Sequence, residues 1–573
     1  MKIALIKIQN YYDLGFRDAL TNFDKNKSIK IDYSDKKALK NIKKNEAHYK
    51  IIFPEVVKLL NKKHNVQLSD QFWQILIGPW LYKVLEFFYD KYLIVKEIPS
   101  NLKIEFQENY FTRHYFNSIY DLYINEKFIK YSIYSINNSL EINKKQISLK
   151  DKQYLEDKLS EKNNLKTDRK VFKSILKEKI RSIIYFIILQ KKYKDKILNI
   201  NLSLNSVELK TISDRYNNLS KQFINLVKTN KNPSKNKLIE IKIQKDFKDE
   251  FLNSLKEIIH KWIPIEYDME FSSNFNYYKK YVNKINPSII LLRGPHETSI
   301  KIRFLIALLK EYKNSNILSF QEGGIGKYQY QKHYENYSLN GTDYFAQWSK
   351  FSSRKNIISF YLTKTYWITE YKLPKNNDIL IILGSFRKFF FSYYEGHLPD
   401  YSFIQLKIIE KLLMEGNIFE RSTIRFHNDY QFNEKKYLYK KFKKLKISTR
   451  ENTNTFFHLF TKFSLKIFLS DYTANMQSMI INHPTILILD KKELTNNEIY
   501  SDVYIKLFEN NMLFYSPIKL IDFINKNLST YDKIINWWYS KNVQYTKNLY
   551  ISFLCRKNLK IDEKFIKLVN QIQ

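Results

Sequence analysis

The chain has 573 residues, 44% of them hydrophobic and 16% aromatic, which excludes a disordered or collagen-like protein. Its 96 Lys and Arg outnumber 58 Asp and Glu, giving a net charge of +38. The single cysteine, Cys555, excludes a disulfide framework and a cysteine-based zinc site. No apolar run approaches the ~18 residues that span a bilayer, and the first residues do not resemble a signal peptide. We therefore expect a cytoplasmic protein of about two to four domains.

The positive charge favours an anionic partner, although its make-up argues against specific nucleic-acid binding. Only 13 of the 96 cations are Arg, the residue that makes bidentate contacts to bases and phosphates. Asn, Ile, Tyr and Phe are also abundant, so a preference for A/T-rich codons explains the lysines most simply. The electric field is present all the same, and we expect peripheral attraction to the anionic inner membrane surface. A basic nucleic-acid-binding protein remains the third function hypothesis, after the two given below.

Long stretches without glycine predict a largely helical region over residues 1–285. Apolar residues at helical spacing predict one helix over residues 36–65 and a second, strongly apolar helix over 69–93. The pair Gly78-Pro79 lies inside the second helix and is expected to kink or split it. Lys- and Asn-rich stretches at 134–170 and 205–250 are expected to be exposed.

The pattern changes near residue 286, where short apolar strands begin to alternate with helices. The expected elements of residues 286–375 are a strand at 287–293, a helix at 299–312 and a strand at 316–320. This alternation is typical of a parallel sheet in an α/β domain. Together with the helical region, it forms a predicted N-terminal, acceptor-side domain over residues 1–375.

A second α/β pattern runs over residues 376–530 and predicts a Rossmann-like nucleotide-binding domain. Its predicted strands are 378–383, 423–426, 465–469 and 485–489. Helices over residues 531–573 are expected to pack back across both domains. The predicted fold class is therefore α/β, with two Rossmann-like domains facing a cleft and a large helical N-terminal region. By analogy of fold, this is the GT-B arrangement of many glycosyltransferases.

The turn Gln321-Glu-Gly-Gly-Ile-Gly326 follows a predicted strand and holds three of the ten glycines of the chain, namely Gly323, Gly324 and Gly326. Without a Cβ in the way, backbone N–H groups in such a turn can face an anion or a sugar. The spacing fits neither a Walker loop nor the dinucleotide fingerprint. A tight turn without a ligand is an equally good interpretation.

Three residues in or near this turn are candidates for proton transfer. Glu322 lies within it and could serve as a general base, or it could be an ordinary exposed carboxylate. His296 and His333 flank the turn, although a lone histidine more often has a structural role.

Leu469-Ser-Asp-Tyr-Thr-Ala-Asn-Met-Gln477 marks the second candidate site. A buried strand ends at Leu469, and Ser470, Asp471 or Thr473 could cap the helix that follows. Free N–H groups at this helix start, at the carboxyl edge of a parallel sheet, suit a diphosphate or nucleotide. Ordinary helix capping is the alternative.

Two further strand ends carry groups that could bind phosphate. Gly384, Ser385 and Arg387 follow the predicted strand 378–383, and Arg425 lies within the strand 423–426. The chain contains no Asp-x-Asp and no His-Glu-x-x-His motif. We therefore expect no metal ion and no cofactor.

Four blocks of the chain resemble a family of transferases encoded in surface-polysaccharide (O-antigen) biosynthesis loci. The first runs from Leu60-Asn-Lys-Lys-His64 through Phe72-Trp-Gln-Ile-Leu-Ile-Gly-Pro-Trp-Leu81 to Tyr89-Asp-Lys-Tyr92. The second is the glycine-rich turn with Glu335, Asp343 and Trp348. The third runs from Thr473 to Pro484 and includes Asn475 and Gln477, and the fourth runs from Ile534 to Gln544. Together the blocks span most of the chain, from about residue 45 to residue 556, and the Lys- and Asn-rich stretches between them are unmatched.

The resemblance implies a GT-B-like glycosyltransferase that uses a nucleotide-activated sugar and a glycan or lipid-linked glycan acceptor. It places Gln321, Gly323, Gly324, Gly326, Glu335 and Asp343 on the acceptor side, and Asn475 and Gln477 with the donor. The chain departs from the family at Glu322, where His is usual, and at Gln477, where Glu is usual. Glu322 could replace the histidine as a base. The alternative function is a catalytically degenerate binding or scaffold member of a glycan-assembly complex.

Overall fold

The structure is a computed structural model. It describes residues 35–97, 103–106, 136, 146–149, 196–199, 242–264, 266–293, 300–321, 331–348, 354–360, 373–384, 399–426, 434–448, 459–471, 473–489, 498–554, 567–569 and 571–572. Two parallel sheets with flanking helices account for most of these residues.

Two long helices, α1 (Asp35–His64) and α2 (Asp70–Glu97), pack side by side at the start of the N-terminal half. The Ser69 hydroxyl caps α2 by accepting a hydrogen bond from the Phe72 N–H at 3.1 Å. The helices that follow in this half are α3 (Glu250–Ile258), α4 (Phe271–Val282), α5 (Ile300–Lys313) and α6 (Gln331–Ser338). Because α5 packs on α2 and also connects two strands of the sheet, it joins the helical layer to that sheet.

The N-terminal sheet has five parallel strands in sequential order. They are β3 (Lys196–Asn199), β4 (Pro287–Arg293), β5 (Asn316–Phe320), β6 (Tyr344–Gln347) and β7 (Ile357–Ser359). A separate parallel pair is formed by β1 (Lys103–Phe106) and β2 (Gln146–Leu149).

The C-terminal sheet has six parallel strands in the order β10-β9-β8-β11-β12-β13. The strands are β8 (Ile379–Ile382), β9 (Ser422–Arg425), β10 (Lys446–Ser448), β11 (Leu465–Phe468), β12 (Thr485–Ile488) and β13 (Leu513–Phe514). From β8 the chain moves outward to one side, and from β11 it moves outward to the other. The order of the strands therefore reverses between β8 and β11, the neighbours at the centre of the sheet.

Helices flank the second sheet and complete its core. They are α7 (Pro399–Met414), α8 (Gly416–Arg421), α9 (Glu434–Lys441), α10 (Thr473–Ile480), α11 (Glu498–Glu509), α12 (Pro517–Asn527), α13 (Tyr531–Trp538) and α14 (Lys541–Leu554). Beyond α14, Leu568, Val569 and Ile572 pack into the core of the N-terminal sheet. In the opposite direction, Trp348, which follows β6, is buried in a core formed by the C-terminal half.

The predicted fold class is confirmed: two parallel-sheet α/β halves accompany helices in the N-terminal region. One detail differs from the expectation: the region predicted as largely helical also contributes β3 to the N-terminal sheet. The alternation of apolar and polar residues from Leu198 to Leu204 was a usable signal for a strand there. Of the two alternatives expected at Gly78-Pro79, a kink or a split, the structure excludes the split, because helix α2 runs unbroken through this pair.

Candidate functional site

The carboxyl ends of β8 and β11 meet at the reversal of strand order, the place where open α/β sheets characteristically bind ligands. One side chain from α7 joins the two ends. Gln405 accepts a hydrogen bond from the Gly384 N–H at 3.3 Å and donates one to the Leu469 carbonyl oxygen. Its side chain is fully buried. The Gln405 amide therefore adds a side-chain link between two strand ends that backbone hydrogen bonds already hold together.

The chain turns from β11 into α10 through Ser470 and Asp471, and both side chains are buried. The Asp471 carboxylate accepts hydrogen bonds from the hydroxyls of Tyr504 and Tyr550 and from Asn475 Nδ2 at 2.7 Å. Asn475 Nδ2 also lies 2.7 Å from the Tyr550 hydroxyl oxygen. Burial raises the pKa of Asp471, while these hydrogen bonds act in the opposite direction. Asp471 and Asn475 thus belong to an internal network that ties the start of α10 to α11 and α14.

The first turn of α10 is the least enclosed part of this segment. Thr473 and Ala474 are partly exposed, whereas Gln477 on the next turn is buried. The N–H groups at a helix start have no partners within the helix, and the helix dipole adds positive potential there. This end can therefore stabilise an anion that lies beside the β11 end.

Arg425 is the last residue of β9, next to β8, and its side chain is buried. Its Nη1 donates to the Ser448 carbonyl oxygen at 3.3 Å, and its own carbonyl accepts from the Leu383 N–H at 3.1 Å. Arg421 lies at the opposite end of the same strand, where Nε donates to the Asn377 carbonyl at 2.7 Å. Of the two arginines, only Arg425 lies at the carboxyl edge together with Gly384 and Ser470.

The N-terminal sheet has a similar side-chain link at its own carboxyl edge. Gln321 follows β5, and its Oε1 accepts a hydrogen bond from the Trp348 N–H at 2.9 Å, which joins the ends of β5 and β6. The indole of Trp348 reaches the core of the C-terminal half. This edge therefore lies against the C-terminal half. Glu335 is buried on the short helix α6.

Asp343 lies apart from this edge. It immediately precedes β6, and its Oδ2 accepts hydrogen bonds from the Ile317 N–H at 2.8 Å and from Lys310 Nζ at 3.0 Å. These contacts are at the amino ends of β5 and β6, about 13 Å from the Gln321 end by strand rise. The structure thus does not bring Asp343 together with Gln321, and Asp343 holds the start of β5 to α5.

Several predicted site residues lie outside the described residues: His296, Glu322, Gly323, Gly324, Gly326, Ser385 and Arg387. Among the residues that are described, no group of three or more His, Cys, Asp and Glu side chains is arranged to hold a metal ion. Within the same residues, no helix has the length and apolarity needed to cross a membrane.

Sequence reasoning missed three side chains that shape the site, Gln405, Tyr504 and Tyr550. Gln405 is the single Gln in α7 and lies among apolar residues, which was a usable signal in the sequence. Sequence reasoning also missed a cluster of buried charged side chains on α2, a helix predicted to be strongly apolar. The cluster consists of Lys83, Glu86, Asp90 and Lys91, each of which is at most 1% exposed.

A comparison with protein-family models gives a match over residues 9–568, to a family described as LIC12162 family transferase. The comparison with curated proteins found no match.

Similar solved structures include S. aureus TarM in complex with Fondaparinux, alpha-GlcNAc-glycerol and UDP, at 11% identity and a TM-score of 0.35. That match covers 52% of this chain and 59% of TarM, so it spans less than two thirds of the TarM chain. The wall teichoic acid polymerase TagF matches at 13% identity over 70% of this chain and 96% of its own, with a TM-score of 0.31. An alpha,alpha-trehalose 6-phosphate synthase from Burkholderia multivorans matches at 6% identity over 53% and 75%, with a TM-score of 0.29. TM-scores this low support no statement about activity or substrate.

Proposed function

Since the chain belongs to the LIC12162 family of transferases, we propose that it is a glycosyltransferase. It moves a sugar or a related group from a nucleotide-activated donor to a surface polysaccharide, such as O-antigen or capsule, or to its lipid-linked precursor. The observation that carries this proposal is the reversal of strand order between β8 and β11, with Gly384 and Ser470 at the two strand ends.

In this proposal the donor diphosphate lies at the reversal. Backbone N–H groups near Gly384 and at the start of α10 face its oxygens, and Arg425 supplies a positive charge from the neighbouring strand. These groups stabilise the departing phosphate in place of a metal ion. Ser385, Arg387 and Thr473 are proposed as further donor contacts because they adjoin these strand ends in the sequence.

The remaining donor-side candidates position helix α10. Asp471 and Asn475 hold the first turn of α10 against α11 and α14 by their internal hydrogen bonds. Gln477, buried on the second turn, supports the same helix. Glu322 is the proposed general base and His296 the second proposed catalytic residue, and both rest on the sequence pattern alone. The turn from Gln321 to Gly326 and the buried Glu335 would lie on the acceptor side.

The test is donor binding by the full chain. Titration calorimetry with UDP-, CDP-, GDP- and dTDP-sugars should reveal a ligand for the wild type, and Arg425→Gln should weaken its binding at least tenfold. Arg421→Gln is the matched control because it removes the same charge from the other end of β9. It should leave donor affinity within about twofold. Absence of binding across the panel, or equal losses in the two variants, would refute the donor site.

The burial of Ser470, Asp471, Asn475 and Gln477 favours a second candidate, a degenerate scaffold member that binds glycan-assembly proteins without turnover. Donor hydrolysis or transfer by the purified wild type, abolished in Glu322→Gln, would exclude this candidate.

A further inference from the structure

The outward face of α1 has an unusual composition. In the part of α1 whose side chains are described, residues 40–64, eight side chains are exposed. Five of these are lysines and three are apolar, and no acidic side chain is among them: Lys40, Lys43, Ala47, Lys50, Ile51, Pro54, Lys58 and Lys62. We call these eight residues the basic face of α1. At about 100° per residue, they fall within about 120° of the helix circumference.

The order of residues along the basic face is also informative. Two lysines lie towards one end and two towards the other, while Ala47, Ile51 and Pro54 occupy the middle turns beside Lys50. The Ile51 side chain is 44% exposed. From residue 40 to 62, the face is about 33 Å long by helical rise. The basic face therefore has an apolar centre between two cationic ends.

The acidic residues that border this face are already paired. Glu55 lies 3.1 Å from Lys58 and 3.4 Å from Lys245. Asp249 lies 3.5 Å from Lys44 and 3.3 Å from His48. Asp249 thus pairs with groups outside the basic face, whereas Glu55 offsets part of the charge of one lysine of the face, Lys58.

We propose that the basic face of α1 is the surface by which the protein docks on an anionic lipid bilayer. Lysine clusters are attracted to anionic headgroups through charge alone, and a shallow apolar group between them can enter the headgroup boundary. The opposite side of α1 packs on α2, so the helix lies flat on the membrane without leaving the protein. A nucleic acid would pair with the lysines but would leave the apolar centre without a partner.

The experiment compares three variants of the full chain in sedimentation with vesicles. The face variant carries Lys40→Gln, Lys43→Gln, Lys50→Gln and Lys62→Gln, and it retains Lys58, which pairs with Glu55. The control variant removes the same number of charges from exposed lysines on four other helices, by Lys411→Gln, Lys440→Gln, Lys519→Gln and Lys541→Gln. The third variant is Ile51→Ser. Vesicles contain either phosphatidylglycerol with phosphatidylethanolamine or phosphatidylcholine alone, at about 0.1 M salt.

Wild-type protein should bind the anionic vesicles and not the neutral ones. The face variant should lose at least tenfold in affinity, the control variant about twofold or less, and Ile51→Ser a few-fold. Thermal melts should show all three variants folded, since the changed residues are exposed. Equal losses in the face and control variants would mean that net charge alone acts and would overturn the proposal. So would the absence of wild-type binding, or a face variant that loses affinity for single-stranded RNA but not for anionic vesicles.

Discussion

Gly78 and Asn340 are in contact so close that a methyl group on Gly78 would lie 2.5 Å from Asn340 Oδ1. The same oxygen accepts hydrogen bonds from Gln74 Nε2 at 2.6 Å and from the Tyr49 hydroxyl at 3.3 Å. Helices α1 and α2 are thus joined to the turn after α6 by a buried polar contact. A residue with a Cβ at position 78 would force the side chains of Asn340 and Tyr49 to shift.

We expect Gly78→Ala to destabilise the protein, against the usual direction. In a helix interior this change normally stabilises by about 1 kcal/mol, but here the added methyl overlaps Asn340 and Tyr49. A net loss of about 1–3 kcal/mol should appear in urea denaturation. Gly416→Ala is the control, since nothing lies within 4 Å of its Cβ position. Similar changes in the two variants would contradict the close contact.

His64 makes the stability depend on pH. Its Nε2 lies 2.9 Å from the Tyr267 carbonyl oxygen, and its ring stacks on that of Phe271 with 4.1 Å between the ring centroids. Burial lowers the pKa of His64 to about 4 from 6.5. The unfolded chain therefore takes up a proton at a higher pH than the folded one. The stabilisation is full above pH 6.5 and is lost as the pH falls towards 4.

His64→Gln should remove that dependence. Between pH 7.5 and 4.5, the free energy of unfolding of the wild type should fall by about 2 kcal/mol more than that of the variant. Subtracting the free energy of unfolding of the variant from that of the wild type cancels the contributions of the other titrating groups. Parallel curves over this range would show that the native protein accommodates a charged His64.

The hydrogen bonds that Tyr504 and Tyr550 donate to Asp471 should each contribute to the free energy of unfolding. Tyr504→Phe and Tyr550→Phe each leave the buried carboxylate one donor short, at an expected cost of about 1–3 kcal/mol in the free energy of unfolding. The double variant should show coupling, because both hydroxyls contact one carboxylate. Tyr545→Phe is the control on the same helix as Tyr550, and its side chain is 64% exposed. A loss in Tyr545→Phe as large as the others would argue against the network.

The two buried glutamines offer a test that separates stability from ligand binding. Gln405→Leu and Gln321→Leu each remove a link between neighbouring strand ends, and both should lower the free energy of unfolding by about 1–3 kcal/mol. Only Gln405 lies at the proposed donor site. Nucleotide-sugar affinity should therefore fall at least tenfold in Gln405→Leu and stay within about twofold in Gln321→Leu. A larger loss of affinity in Gln321→Leu than in Gln405→Leu would indicate that the donor binds at the N-terminal sheet.

The sequence predicted the larger strands well because their apolar runs are short and bounded by turns. The observed β4 and β5 begin and end at the predicted residues, and β8, β9, β11 and β12 differ by about one residue. The strands β7, β10 and β13 have only two or three residues, too few for a pattern, and β6 (Tyr344–Gln347) has four residues but no Ile, Leu or Val.

The sequence predicted which strand ends form the candidate site, but it did not predict the side-chain contacts that join those ends. That Gln405 joins β8 to β11 depends on how α7 crosses the sheet, and no local pattern gives that. The family resemblance named Asp343 as an acceptor-side residue. It did not show that β6 begins at Tyr344, which places Asp343 at the amino end of that strand. The buried charges of α2 depend on tertiary packing in the same way.

The return of Leu568, Val569 and Ile572 to the first sheet has a mechanical consequence. The chain passes from one half to the other twice, once between β7 and β8 and once after α14. Two bodies joined at two points can rotate easily only about the line through those points. Rotation of one half against the other is thereby limited to one hinge axis. Freeing the second connection, by replacing Leu568 and Val569 with serine, would let the halves swivel in other directions.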